Sequence, residues 1–322
     1  MSFLSTALFA VLLPAAVAAG LVGLGRWSGK PWWTASAVGL AYSAGHWALA
    51  RPTFPPSDVT DRLPFLALAA VALAVFERRV KSDRVILRTR RDAKEQANTT
   101  LSTKHYRAAR AVCPNNPRKR MDGRGEGGSE PVVEGMRGPL ERVVGRVLLA
   151  SLTLGLVLAP VVGNGASSGW LFAPAAIVLA AWANVELPAA RGDGSDAYRS
   201  LLVTAGGAGL VLLLSGSAVL GQLGVALTAA LVAAGVASGM RTPLGFAPAG
   251  AAVLVGLVLT GFVYGSLPAP SAFLLAAAPA TAWLSRIGPA RRFGPWATAA
   301  LVAVPVGAAV ALAVSASPAF DY

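Results

Sequence analysis

The chain has little charge, one cysteine and two histidines. Of its 322 residues only 13% are Asp, Glu, Lys or Arg, where soluble domains carry roughly 25%. That shortage excludes an ordinary water-soluble globule, which must cover its surface with charge. A single cysteine, Cys113, excludes an intramolecular disulfide, and no Cys or His spacing matches a metal-ligand set. His46 is the only histidine in an apolar stretch and Glu186 the only acid in one. An acid–base enzyme needs clustered titratable groups, so an enzyme is not expected, and neither is a cofactor or a metal.

What the chain has is apolar runs. Hydrophobic residues make up 55% of it, and long runs alternate with short Pro, Gly and Arg loops. The runs are apolar on every face, which leaves no polar stripe for water. The expected fold class is all-α: a polytopic integral membrane helical bundle of about ten transmembrane helices.

Charge concentrates in one place. Residues Glu77 to Arg146 hold 18 of the 28 basic residues and 9 of the 15 acids. Three regions follow: an N-terminal membrane region at 1–76 with three spans, a basic cytoplasmic loop at 77–146, and a C-terminal membrane region at 147–322 with seven spans. Within the loop, Cys113 to Gly138 is rich in Pro, Asn and Gly and is expected to be unstructured. A helix is expected to restart at Pro139, a residue suited to a first helical turn.

In order, the expected spans are Phe3–Leu24, Trp32–Leu49, Leu63–Phe76, Val147–Val162, Trp170–Leu187, Leu201–Leu214, Val219–Ser238, Phe246–Tyr264, Ser271–Leu284 and Trp296–Val314. The first run lacks basic residues before it and has Arg26 and Lys30 after it, so it reads as an uncleaved span rather than a signal peptide. The second is the most polar, with Thr34, Ser36, Tyr42, Ser43 and His46. Ala50–Arg62, with Pro52, Pro55 and Pro56, reads as an extended loop. The third run is only 14 residues, short for a bilayer and also compatible with an interfacial or buried helix. Ser215-Gly216-Ser217-Ala218 reads as a tight hairpin.

If all ten runs cross, 26 basic residues fall on one side and only Arg51 and Arg62 on the other. Basic loops stay cytoplasmic, so both termini are expected outside. The expected location is a bacterial cytoplasmic membrane. All eight tryptophans fall near proposed helix ends, where an indole can sit at the headgroup level.

Two letter matches lack their context. Gly123, Gly125 and Gly128 have the dinucleotide-loop spacing but no strand before or helix after. Gly165-Ala166-Ser167-Ser168-Gly169 has nucleophile-elbow spacing in a short loop, with His46 and Asp58 on the same face. Both read as linkers. The candidate polar residues within spans are His46, Asn184, Glu186 and Gln222. Glu186 is at the water boundary near Arg191, and Gln222 suits an interhelical hydrogen bond. The pairs Gly235/Gly239 and Gly261/Gly265 read as close-packing contacts. The expected partners are the lipid bilayer and, for the basic loop, anionic lipid headgroups rather than nucleic acid.

Three function classes fit: a transporter, a non-catalytic scaffold or assembly subunit, and an intramembrane enzyme. The sparse charge favours a permease-like transporter for a small neutral or weakly polar solute. Five spans per half suggest a five-plus-five inverted repeat, with Pro64/Pro248, Pro160/Pro279 and Pro174/Pro305 in step.

Overall fold

The computed structural model describes residues 3–50, 58–76, 133–163, 172–191, 195–239, 246–286 and 295–316. Among them the chain is all-helical, with ten α-helices and no strand. They are α1 (Phe3–Ser28), α2 (Pro31–Ala50), α3 (residues 63–76), α4 (Val133–Gly163), α5 (Phe172–Arg191), α6 (Ser195–Leu214), α7 (Ala218–Ala237), α8 (Phe246–Tyr264), α9 (Ala269–Ala277) and α10 (Pro295–Ala316). A 3₁₀ turn at Thr60–Arg62 precedes α3, and a 3₁₀ helix at Ala278–Arg286 continues α9.

By packing, Met1–Val75 with Gly145–Tyr322 forms one compact unit, and Phe76–Val144 forms another. Of the second, the described part is Phe76 and the first turns of α4. Cys113, the Gly123 motif, residues 113–132 of the stretch expected to be unstructured and nearly all of the basic block are outside the described residues; the end of that stretch, 133–138, is instead helical, as the first turns of α4. So are the Gly165–Gly169 motif and Trp170.

Within the first unit α8 is the axis. Every residue from Ala249 to Gly261 is buried, as expected of a helix that is apolar all round and surrounded on all sides. It packs against α2, α5, α6, α7 and α9. α1 and α10 are outer helices whose apolar side chains remain exposed: Leu8, Phe9 and Leu12 on one, Val304, Leu312 and Val314 on the other. Faces of this kind would drive aggregation in water. Five helical segments are long and apolar enough to cross a membrane: Leu8–Ser28, Ser195–Leu214, Ala218–Ala237, Ala247–Tyr264 and Trp296–Ala316. These are the marks of an integral membrane protein.

Several expected boundaries move. α6 begins at Ser195, not Leu201, because its first turns hold Asp196, Tyr198 and Arg199. These polar residues read as loop but are held: Arg199 pairs with Asp196 at 3.3 Å, and the Tyr198 hydroxyl donates to the Leu231 carbonyl of α7. α9 stays α-helical only to Ala277 and then tightens to 3₁₀. Pro279 lies at the switch; it offers no N–H and its ring crowds the carbonyl four residues back. α4 starts at Val133, before Pro139. The 58–62 segment is not extended. The Asp58 carboxylate accepts from the Val59 N–H at 2.6 Å and the Thr60 hydroxyl at 3.1 Å, and that winds the turn.

The hairpin between α6 and α7 forms as its sequence predicts. Gly216 has φ 89°, the Ser217 N–H donates to the Leu212 carbonyl at 3.2 Å, and the Gly216 N–H to Leu213 at 3.1 Å. A left-handed glycine with those two bonds is a standard helix stop. The glycines that bring helices together differ from the expected pairs. Gly239 has φ 67° and ends α7, and Gly265 faces its own Gly261 carbonyl. The close crossing is Gly209 of α6 on Gly224 of α7, where a methyl on Gly224 would stand 2.5 Å from the Gly209 Cα.

Consecutive helices pack as pairs in both parts of the chain, which does not by itself make them repeats. α1 packs on α2 as α6 packs on α7, but the extensive α6–α10 contact has no comparable α1–α5 contact among the described residues.

Candidate functional site

α2 carries several of the buried polar groups: Thr34, Ser36 and His46, with the Tyr42 hydroxyl. Its length suits a span, yet Trp32, Trp33, Thr34, Ser36, Tyr42, Ser43 and His46 keep it out of the five most apolar segments. It packs against α1, α7 and α8. Two of its glycines fit it into the bundle: Gly39 meets Val71 and the Ala67 carbonyl of α3, and Gly45 meets the ring of Pro14 in α1. Thr34 and Ser36 are buried near its start, and Tyr42 and His46 are fully buried toward its end.

Tyr42 and His46 are one turn apart, so they share a face; their ring centroids are 6.3 Å apart. His46 Nε2 lies 2.9 Å from the Thr60 carbonyl. A carbonyl only accepts, so Nε2 carries the proton, and in the neutral ring Nδ1 is an acceptor. Among the described residues, His46 Nδ1 and the Tyr42 hydroxyl are both buried without a hydrogen-bond partner. The Thr260 hydroxyl on α8 is in the same condition. Buried polar atoms are nearly always paired, and an unpaired one costs about 1–3 kcal/mol.

The 58–62 turn closes over this face. Asp61 is buried, and its carboxylate is near enough for its charge to act on His46. Arg62 Nη1 donates to the Leu156 carbonyl of α4 at 2.9 Å, and the Tyr264 hydroxyl of α8 donates to the Val157 carbonyl at 2.7 Å. One end of the bundle therefore gathers the C-terminal ends of α2, α4 and α8 with the turn. A separate polar group joins α6, α10 and the 3₁₀ helix: the Thr298 hydroxyl is 3.0 Å from Ser285 Oγ and 3.3 Å from Asp196 Oδ1. Its polar atoms have partners, so it fastens helices.

Of the expected polar residues, His46 falls in the buried cluster. Gln222 is half-buried on α7, away from any hydrogen bond among the described residues. Asn184 and Glu186 lie on α5, but their side chains, and the expected Glu186–Arg191 proximity, are outside what is described. The sequence reading missed Asp61, Arg62, Thr260 and Tyr264. Asp61 and Arg62 follow three prolines and read as solvated loop; the Asp58-x-Thr60 spacing was the one local sign of a capped turn. The tryptophan rule has an exception too. Trp27 and Trp296 are exposed, but Trp182 is buried among Leu66, Ala70, Leu149, Ala249 and Ala252, its indole N–H without a partner among the described residues. Among the described residues no group of three His, Cys, Asp or Glu side chains is placed to hold a metal ion.

The fold and this interior define a helical membrane protein with a buried polar face on one helix. Compared with known protein families, curated proteins and solved structures, the chain matches none.

Proposed function

We propose that the protein is a permease-like transporter of a small neutral or weakly polar solute, with Tyr42 and His46 as its hydrogen-bonding groups. The observation that carries this reading is a pair of polar atoms, one turn apart and without partners among the described residues, on a helix wrapped by α1, α7 and α8. A hydroxyl that can donate beside a ring nitrogen that accepts suits a solute bearing both kinds of group, such as an amide or a polyol. Among the described residues the one acid whose charge acts on His46 is Asp61, and so few charges favour a neutral solute over an ion. The test is a melting-temperature screen of the purified protein against small amides, polyols and zwitterions, followed by uptake into proteoliposomes. At least one solute should raise the melting temperature and be taken up. If none does either, a solid helical scaffold becomes the better reading, one that the Gly209–Gly224 crossing would suit.

The reading includes ten crossings, a bacterial cytoplasmic membrane, both termini outside, and a basic loop resting on anionic lipid headgroups. One contact between helix ends supports the alternation. Arg26 Nη1, at the end of α1, donates to the Ala237 carbonyl at the end of α7, at 2.9 Å. The first and seventh runs should finish on the same side, and a cation at a helix C-terminus is favourable. Reporter fusions after Lys30, within 77–146 and after Arg241 should all report cytoplasm. One reporting the outside would break the ten-span scheme.

A further inference from the structure

Pro160 lies in the last turns of α4. Proline has no N–H, so the carbonyl four residues back, that of Leu156, loses its helical donor, and the ring crowds it. Leu156 is the carbonyl that Arg62 takes, at 2.9 Å, and the next one, Val157, is taken by Tyr264 at 2.7 Å. Two side chains from two other elements thus hold the proline-weakened end of α4. The same problem is solved differently in α10. There Pro305 frees the Leu301 carbonyl, and the short Thr281 hydroxyl of the adjoining 3₁₀ helix lies 3.0 Å from it. A threonine held in packed helix cannot leave. An arginine on a short turn can, because its long stem lets the guanidinium swing out to water, where it is well solvated.

We infer that Arg62 and Tyr264 form a releasable latch, which holds the end of α4 closed over the buried polar groups of α2 and α8. Arg62 follows Asp61, whose charge acts on His46, and both Arg62 and Asp58 are near enough for their charges to act on Tyr264. Thr260 is one turn further in on α8, buried. Releasing Arg62 returns the Leu156 carbonyl to an unpaired state, and the weakened turn can then bend at Pro160. The closed form has its carbonyls satisfied, and the open form has its arginine hydrated. The latch goes beyond the transport reading and rests on it only for what the opening admits.

The chain's one cysteine makes the test direct. In a Cys113→Ser background, Thr260→Cys places a thiol of similar size under the latch. The reagent is a small charged methanethiosulfonate, applied to the full chain in nanodiscs so that both faces are reachable. The thiol should label slowly in the otherwise native chain. Arg62→Met should raise the labelling rate by roughly 10- to 100-fold, the factor that follows from losing one charge-assisted hydrogen bond. Tyr264→Phe removes a single oxygen and should give a smaller rise, and Arg199→Met, which touches another end of the bundle, should give none. Melting curves are recorded for each, and Tyr264→Phe is the variant to read if Arg62→Met fails to fold. Unchanged labelling in Tyr264→Phe and in any folded Arg62→Met would overturn the latch, as would an equal rise in Arg199→Met. Labelling needs no solute, so this result is separate from the uptake assay, and either reading can fail alone.

Discussion

Replacing Gly224 with alanine will destabilise the bundle by about 2–3 kcal/mol, the upper part of the usual range for forcing one methyl into a filled site. The new carbon would sit 2.5 Å from the Gly209 Cα and 3.0 Å from the Gly209 nitrogen. Both are backbone, so no rotamer change can relieve the clash, and α6 and α7 must move apart. In a membrane, contact between helices depends on close packing, since lipid tails are as apolar as leucine. Separation here also strains the Tyr198 to Leu231 hydrogen bond between the same helices. Gly307 on α10 is the control: a methyl there meets nothing within 4 Å. Gly307→Ala should be neutral or stabilising by up to about 1 kcal/mol, from helix propensity alone. Melting temperatures of the two variants in detergent decide the matter, and equal values would show that the helices do not cross at Gly224.

The helices were legible in the sequence because each long apolar run has to become a helix. The runs ending at Leu49, Leu214 and Tyr264 do so within a residue or so. The ends with polar first turns were not legible. Asp196 and Arg199 read as loop because only tertiary contact shows that Thr298 and Tyr198 find partners. The glycine spacing misled for a related reason. Gly235 and Gly239 have the right interval, but one faces Tyr198 and the other ends its helix, while the pair that touches is split between two helices. No interval within one helix encodes a crossing between two.

The buried site shows the same limit. The polar character of α2 was plain from Thr34, Ser36, Tyr42, Ser43 and His46. That it lies inside the bundle follows from Gly39 and Gly45 fitting against α3 and α1. Which polar atoms stay unpaired depends on where the 58–62 turn comes to rest. Thr60 reaches His46 across 14 residues and Arg62 reaches Leu156 across 94. Such contacts leave no periodic trace along the chain.

Tyr42→Phe should at once make the protein more stable and, on the transport proposal, weaken its hold on the solute. The Tyr42 hydroxyl is fully buried with no partner among the described residues. Removing it deletes a buried, unsatisfied polar group at nearly constant shape, which relieves about 1–3 kcal/mol and raises the melting temperature by a few degrees. If the hydroxyl donates to a solute, the same change weakens that solute's binding about tenfold or more. His46→Leu should lose the solute as well, but with the opposite effect on stability. Its Nε2–H satisfies the Thr60 carbonyl at 2.9 Å, and leucine would leave that carbonyl without its donor. The two residues are one turn apart on one helix, so a general packing role would move both melting temperatures the same way. Opposite shifts with a shared loss of solute binding are what a ligand site requires. A lower melting temperature for Tyr42→Phe would mean that the hydroxyl has a partner in the folded protein. Tyr42 would then be a structural contact and the solute site would have to be sought elsewhere.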